Sequence, residues 1–220
     1  MHLGVIPDGN RRYADNNGLA KIKAYRKAKD VIANVFEDIE DSDYEVDEAT
    51  FYLLSEENLK RKDEDLQDLF DLMENHISEV AEKLNKFGFA FNWVSTRPDA
   101  LPYHLKEKLE NLEEEFSEGE KTLNALISYS GKKDILKASK KSQDNVSKEG
   151  FEDNLEISSE IDYVIRTGDN PTRECLSGFP IWNSSYSEFY HLKKNFPAVT
   201  PEDVKQALDH FQNLRKKKGE

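Results

Sequence analysis

The chain opens with His2-Leu3-Gly4-Val5-Ile6-Pro7-Asp8-Gly9-Asn10-Arg11-Arg12-Tyr13-Ala14. The apolar run predicts a buried strand ending at Asp8, and the pair Gly9-Asn10 predicts a turn before a helix that begins at the arginines. Backbone N–H groups at a helix start, beside the guanidinium groups of Arg11 and Arg12, form a ready phosphate site. Asp8 can hold a hard cation that the same phosphate binds. The segment therefore predicts a metal–diphosphate site, although Asp-Gly-Asn alone is also a common turn.

Short apolar runs typical of strands alternate with longer amphipathic stretches typical of helices. This alternation predicts an α/β fold, a single domain over residues 1–220 with a mostly parallel central sheet and helices on both faces. The polar stretch 139–150 lacks periodicity and predicts a mobile surface loop. The predicted strands are 2–7, 49–54, 89–94, 123–128 and 163–165, and the predicted helices are 22–39, 63–87, 98–116 and 202–216.

Composition argues against several classes of function. The formal net charge of −13 argues against nucleic-acid binding through the overall field and against a permanent grip on an anionic membrane. The sequence shows neither an apolar run of bilayer-spanning length nor a signal-peptide pattern, and its one cysteine, Cys175, cannot form an intrachain disulfide. We therefore expect a cytoplasmic protein with no nucleic-acid partner and no transmembrane segment, in which Cys175 is a small packed side chain.

Polar residues fall where the predicted strands end. Asp8, Ser55, Ser128 and Arg166 occupy such positions. Because ligand groups gather at the carboxyl ends of parallel strands, we expect these side chains to share one site. Ser55, Asn58 and Arg61 repeat at every third residue, so one helical turn would present all three together.

Four segments of the chain resemble the signatures of the cis-prenyltransferases, the undecaprenyl diphosphate synthase family. The opening is similar to that family's H-x-x-I-x-D-G-N-R-R-W/Y-A, and residues 54–61 resemble its S-x-E-N-W-x-R. Residues 123–135 resemble L-N-x-A-x-N-Y-G-G-R-x-D-I, and residues 161–190 resemble I-D-L-x-I-R-T-G-G-E-x-R-L-S-x-F-x-x-W-Q-x-x-Y-x-E-L. The four blocks occur in the family's order along nearly the whole chain, which is identified as a divergent member.

The resemblance implies an enzyme that uses an allylic prenyl diphosphate and Mg²⁺. Its reaction would be cis-condensation with isopentenyl diphosphate, giving a short-to-medium prenyl diphosphate, in a homodimer. One alternative is the same fold transferring the prenyl group to an alcohol. Another is a non-catalytic partner subunit of a heteromeric enzyme, although such partners tend to lose the first-block aspartate and arginines that this chain keeps.

The resemblance also assigns roles to individual residues. It implies catalysis by Asp8 and Asn58, and metal binding by Asp8 and by Glu188, the latter reaching across a dimer interface. Lys21 or Lys23 stands in for a diphosphate-binding arginine. The residues implied in substrate binding are Gly9, Asn10, Arg11, Arg12, Lys21, Ser55, Arg61, Arg166, Arg173 and Ser177.

The chain departs from the family pattern at the site. Tyr25 stands where the family usually has a histidine, and a phenol cannot replace imidazole as a proton carrier at neutral pH. Cys175 occupies the usual arginine position, after an insertion in which Asp169 adds an acidic side chain to the acceptor diphosphate site. We therefore expect weak acceptor binding unless Arg173 compensates.

Three further side chains carry expectations of their own. Leu53 occupies a tunnel position that long-chain members usually fill with a small residue, which predicts a short product unless Leu53 is simply a buried strand residue. Trp182 and Tyr186 are interpreted as core aromatics.

Overall fold

In the computed structural model, residues 1–40, 44–61, 63–143, 147–170 and 174–218 are described. The strands are β1 (His2–Ile6), β2 (Glu48–Ser55), β3 (Phe89–Val94), β4 (Lys121–Tyr129), β5 (Tyr163–Thr167) and β6 (Glu188–Leu192). The α-helices are α1 (Asn10–Asn16), α2 (Lys21–Glu40), α3 (Asp63–Asn85), α4 (Tyr103–Glu115), α5 (Gly131–Lys141), α6 (Lys148–Glu152) and α7 (Pro201–Lys218). Short 3-10 helices lie at Glu56–Lys60, Pro98–Ala100 and Phe196–Ala198.

The six strands form one sheet in the order β3-β4-β2-β1-β5-β6, and every described strand pair is parallel. All five residues of β1 are buried, as expected of a central strand covered on both faces. β2 lies on one side of β1 and β5 on the other, so the connections diverge there. Such a switch point opens a crevice at the carboxyl ends of the strands, where Asp8 and Arg166 are found.

Helices and loops cover both faces of the sheet, which confirms the predicted α/β fold. The larger core packs Leu3 and Phe51 of the sheet against buried side chains of α2, α3, α4 and α7. The smaller core on the other face contains Tyr129 and Phe179, and the Tyr129 hydroxyl donates to Asp134 of α5 at 2.7 Å.

The predicted strands and helices are present within two residues at each end, with one exception. The predicted helix 98–116 is broken, because Leu101 is extended before Pro102 and α4 begins only after that proline. The loop predicted over 139–150 is wrong at both ends, since α5 continues to Lys141 and α6 begins at Lys148. The Ser147 hydroxyl caps α6 by accepting from the Gly150 N–H at 3.0 Å.

Two aromatic residues and the cysteine are exposed, so their predicted packing in the interior is wrong. Tyr186 is 87% exposed, and Cys175 also faces solvent. Trp182 packs edge-to-face against Phe151 at the surface and donates from Nε1 to Glu152 at 2.8 Å. Across the described ranges, no helix combines the length and the apolar character that crossing a membrane requires.

A double irregularity bends the sheet where β2 meets β4. Tyr52 pairs with Leu126 and Leu54 with Ile127, so Leu53 is an extra residue on β2. Ser55 then pairs with Tyr129, which leaves Ser128 as an extra residue on β4, with φ at +56°. Bulges of this kind re-aim side chains next to active sites.

A buried polar network crosses the sheet at its amino end. The His2 ring lies 2.7 Å from the Thr50 hydroxyl and 3.0 Å from the Ser159 hydroxyl. The Asn124 amide donates to the Thr50 hydroxyl at 3.1 Å and to Glu48 at 2.6 Å. Burial lowers the pKa of His2, although the nearby Glu48 carboxylate opposes that shift.

We predict that this histidine makes stability depend on pH. Because the pKa of His2 is lower in the folded than in the unfolded chain, the free energy of unfolding falls as the pH drops below about 6.5, the unfolded value. Urea unfolding between pH 5.5 and 8 measures this slope, which should flatten in His2→Gln. The exposed His104 gives a matched control, and an identical slope in His2→Gln and His104→Gln would contradict the prediction.

Candidate active site

A cavity of about 520 Å³ lies between the carboxyl ends of the strands and helices α2 and α3. It brings together all the predicted site residues except three. Arg173 lies outside the described residues, and Glu188 does not line the cavity. Ser128, which was expected to share the site, is wrong as a site residue, because it is buried away from the cavity and its hydroxyl donates to the Arg97 carbonyl at 2.9 Å. The predicted residues that do line it are Asp8, Gly9, Asn10, Arg11, Arg12, Lys21, Ser55, Asn58, Arg61, Arg166 and Ser177.

The loop after β1 forms the floor of the polar end. The Gly9 N–H donates to the Asp8 carboxylate at 2.6 Å, and α1 begins at Asn10, one residue before the predicted start. Gly9 has φ at +99°, and a Cβ there would lie 2.1 Å from Asn195 Oδ1. Only glycine therefore fits between this loop and Asn195. Among the described residues no side chain caps the start of α1, so its first backbone N–H groups can bind a ligand.

An ion pair between buried Arg166 and partly exposed Asp8 joins the ends of β1 and β5. Arg166 is 5% exposed and donates from Nη2 to the Asp8 carboxylate at 2.6 Å. Its Nη1 donates to the Ser177 hydroxyl at 2.8 Å and also to the Cys175 carbonyl. Ser177 holds a positive φ of +53°. One guanidinium thus connects the strand ends with the segment that precedes Phe179.

The 3-10 turn after β2 presents the second group of site residues. The Asn58 N–H donates to the Ser55 hydroxyl at 3.2 Å, and the Ser55 N–H donates to the Asn58 side chain at 3.4 Å. Arg61 follows this capped turn and donates from Nη1 to the Tyr25 hydroxyl at 3.2 Å. The expected clustering on one turn is therefore present. Burial lowers the pKa of Arg61.

Lys21 lines the cavity, whereas Lys23, the other lysine considered for that role, is exposed and does not. The Lys21 ammonium lies 2.7 and 2.6 Å from the two oxygens of Asp65. Lys21 therefore reaches the site with its charge compensated by a carboxylate of α3.

Glu188 lies at the amino ends of the strands, whereas Asp8 lies at their carboxyl ends. It begins β6 and pairs with Tyr163 at the amino end of β5, whereas Asp8 follows the carboxyl end of β1. Within one chain, the structure does not bring the two predicted metal-binding carboxylates together.

Asp169 does not act as predicted. The acidic side chain was expected in the acceptor diphosphate site, but its carboxylate accepts from Arg12 Nε at 2.8 Å and from the Asn195 amide at 2.7 Å. Partial burial opposes ionisation, but these hydrogen bonds outweigh it and hold the pKa of Asp169 below its usual value. The Asp169 carboxylate is therefore paired with Arg12, which belongs to the loop predicted to bind the allylic diphosphate.

The polar end of the cavity holds unused hydrogen-bond donors. Three guanidinium nitrogens are buried without a hydrogen-bond partner among the described residues: Arg12 Nη2, Arg61 Nε and Arg166 Nε. Buried donors in native structures normally have partners. Because the three arginines line the same cavity, these donors indicate a site for an anion with several acceptor oxygens.

The rest of the cavity has a mostly apolar lining, with Lys29 of α2 and His76 of α3 as polar exceptions. It extends from this cationic end along the sheet, beneath α2 and α3. Its apolar lining includes Ile32, Phe51, Leu53, Leu69, Leu72, Met73, Ile77 and Val80. A ligand that joins an anionic head group to a hydrocarbon tail would match these two ends.

Comparison with known proteins identifies the family. Residues 6–219 match the prenyltransferase family described as "Putative undecaprenyl diphosphate synthase". The chain belongs to the undecaprenyl diphosphate synthase family of cis-prenyltransferases. The predicted family and the predicted transferase class are thereby confirmed.

Individual cis-prenyltransferase relatives are similar along the whole chain. An isoprenyl transferase of Aquifex aeolicus is 30% identical over 225 residues, covering 99% of this chain and 95% of the relative. A geranylgeranyl-diphosphate-specific tritrans,polycis-undecaprenyl-diphosphate synthase of Methanopyrus kandleri is 32% identical, covering 99% of this chain and 84% of the relative. The crystal structure of lavandulyl diphosphate synthase from Lavandula x intermedia, in complex with dimethylallyl diphosphate, superposes with a TM-score of 0.87. It covers 96% of this chain and 94% of that chain at 21% identity, and it shows that the fold is shared.

Two residues of this cis-prenyltransferase site were missed as site residues. Asn195 precedes the short 3-10 helix at Phe196, carries no motif, and packs against Gly9. Tyr25 was noted only as a missing histidine, yet it lines the cavity and contacts Arg61. Its place at the family's usual histidine position was a signal for Tyr25, and the amphipathic spacing of α2, which puts it on the buried face, was another.

Proposed function

We propose that this prenyltransferase condenses an allylic prenyl diphosphate with isopentenyl diphosphate in cis, using Mg²⁺, and releases a short-to-medium prenyl diphosphate. One observation carries the proposal: a single cavity has a cationic end around Asp8 and an apolar body along α2 and α3. The relatives' names describe synthases of prenyl diphosphates, which favours isopentenyl diphosphate over an alcohol as acceptor.

The cationic end suits the departure of a diphosphate. As the allylic C–O bond breaks, negative charge builds on the leaving oxygens. Arg11, Arg12 and Arg61 surround that end, and fixed guanidinium donors stabilise such charge without reorganising. Retention of Asp8 and these arginines speaks against a non-catalytic partner subunit.

The residues around Asp8 fit a magnesium ion carried by its substrate. Mg²⁺ is commonly held by one or two carboxylates together with substrate phosphates. The described residues contain no group of three or more metal-ligating side chains, so Asp8 would hold the ion with the diphosphate. When bound, the ion neutralises charge on the leaving group. Arg166 orients the Asp8 carboxylate through its 2.6 Å hydrogen bond.

We further propose that residues 1–220 act as one cytoplasmic domain in a homodimer. β6 is an edge of the described sheet, and exposed aromatic side chains, Phe189 and Tyr186, lie on it and beside it. A second copy would cover this edge. Glu188, at the start of β6, would then serve the site of the partner copy.

The test of function is turnover of labelled allylic diphosphates with isopentenyl diphosphate or alcohols as acceptors, followed by sizing of the products. We expect activity to require Mg²⁺, and Asp8→Ala and Asp8→Asn to lose several orders of magnitude in kcat. Asp8→Ala also leaves Arg166 unpaired, which costs about 1–3 kcal/mol of stability. Asp8→Asn keeps an acceptor for Arg166, and so separates the loss of charge from the loss of stability.

Exposed Asp99 provides the control, and Asp99→Ala should retain wild-type turnover. Full activity in excess chelator would refute the metal role. Near-normal turnover in a folded Asp8→Asn variant would refute the role of Asp8. An ether as the main product would favour the alcohol acceptor.

Product length should depend on Leu53. This side chain enters the apolar body from the bulge of β2, so it should stop the growing chain sterically. We expect Leu53→Ala to give longer products by mass spectrometry, whereas Leu136→Ala, at a side chain 61% exposed, leaves the length unchanged. A decaprenyl-scale product from the wild type would show that Leu53 does not limit the tunnel.

Mixing two inactive variants tests the dimer. If Glu188 serves the partner's site, Asp8→Ala and Glu188→Gln chains fail separately, but their hybrid dimers contain one intact site. After denaturation and refolding together, we expect about a quarter of wild-type activity, as random pairing of a two-fold dimer gives. Recovery should be absent when either variant is refolded alone. A fully active Glu188→Gln, or no recovery on mixing, would contradict the shared site.

A further inference from the structure

Asp169 connects three separate parts of the polar end. It follows β5, and its carboxylate accepts from Arg12 Nε at 2.8 Å. It also accepts from the Asn195 amide at 2.7 Å and from the Asn16 amide at 3.4 Å. The side chain is 37% exposed, so it lies at the rim of the site rather than beneath it.

The contact between Asp169 and Arg12 engages the guanidinium through Nε. Arg12 presents its N–H donors in a rigid planar fork, so fixing Nε fixes where the terminal nitrogens point. Nη2 lies 3.5 Å from the Asp8 carboxylate and has no hydrogen-bond partner among the described residues. Arg12 also lines the cavity.

Gly168 provides the room for this arrangement. It has φ at +133°, and a Cβ there would lie 2.9 Å from Arg12 Nη2. The backbone therefore passes directly against the guanidinium. Gly168 thus brings the backbone close to the guanidinium, and the carboxylate of the next residue, Asp169, accepts a hydrogen bond from it.

Asp169 also orients Asn195. Because the Asn195 amide nitrogen donates to Asp169, its Oδ1 is turned toward Gly9, where a Cβ would lie only 2.1 Å away. The same carboxylate thus holds the guanidinium above the phosphate loop and the amide packed against it.

We propose that Asp169 is a positioning residue that sets the Arg12 guanidinium for diphosphate binding. The proposal deepens the proposed function, on which it rests, because it assumes that Arg12 contacts the diphosphate. The opposite role is a carboxylate that occupies the anion's place and competes with it. When the Asp169 carboxylate is removed, the positioning role predicts weaker diphosphate binding, whereas the competing role predicts tighter binding.

The experiment compares wild type, Asp169→Ala and Asp169→Asn by two measurements. Calorimetry with inorganic pyrophosphate in the presence of chelator reports the protein's own donors. Steady-state kinetics with Mg²⁺ separates KM for the allylic diphosphate from kcat. We expect Asp169→Ala to weaken pyrophosphate binding and raise KM about tenfold, the size of one misplaced charged hydrogen bond, with a smaller change in kcat. Asp169→Asn keeps an oxygen acceptor for Arg12 Nε and should stay within about threefold of wild type.

A double-mutant cycle shows whether Asp169 acts through Arg12. Adding Asp169→Ala to Arg12→Ala should cause no further loss of pyrophosphate affinity. Asp99→Ala controls for removing one negative charge and should bind like wild type. Melting temperatures verify folding, and Asp169→Ser replaces the alanine variant in the same cycle should the latter unfold.

The outcomes separate this inference from the proposed function. Tighter or unchanged pyrophosphate binding in Asp169→Ala, or additive losses in the cycle, would overturn the positioning role alone. Absence of pyrophosphate binding to the wild type, both with chelator and with Mg²⁺, would overturn both.

Discussion

The ion pair between Asp8 and the buried Arg166 is the interaction on which the site depends. A guanidinium that is 5% exposed is costly to desolvate unless its charge and its donors are met. Asp8 meets the charge, while Ser177 and the Cys175 carbonyl accept from the other nitrogen. These partners come from the end of β1 and from the segment after the insertion. Satisfying Arg166 therefore fixes two segments, the loop after β1 and the segment with Cys175 and Ser177, relative to β5, and the rest of the polar end packs against them.

The apolar body exists because the larger core is incompletely filled near the carboxyl end of the sheet. Ala28 of α2 and Ala125 of β4 are small residues that line the cavity. The bulge at Leu53 turns that side chain into the space as well. Unfilled volume in a core is destabilising. A hydrocarbon tail would restore the missing contacts, so binding and stability should be linked in this part of the molecule.

How far the sequence predicts the site depends on how local each relation is. Asp8, Arg12 and Arg166 were predicted because strand ends and the turn chemistry are readable over a few residues. The position of Glu188 was not predicted, because it depends on the register of an edge strand with mixed polar and apolar residues. The contact of Asp169 with Asn195 joins residues 26 positions apart and follows an insertion. The exposed Trp182 and Tyr186 occur in a segment without helix or strand periodicity, so its pattern says nothing of their burial.

The division of the cavity into two ends has a consequence for how such a protein can evolve. Its polar end is held by backbone contacts and paired charges, in which Gly9 and Gly168 leave no room for a side chain. Its apolar end is lined by separate aliphatic side chains, among them Leu53 and Met73, that carry no such constraint. Substitutions can therefore change the volume of the apolar end by one methyl group at a time, while the residues of the polar end and the reaction stay the same. Descendants of one ancestor would diversify in the size of what they make long before they diversify in the reaction.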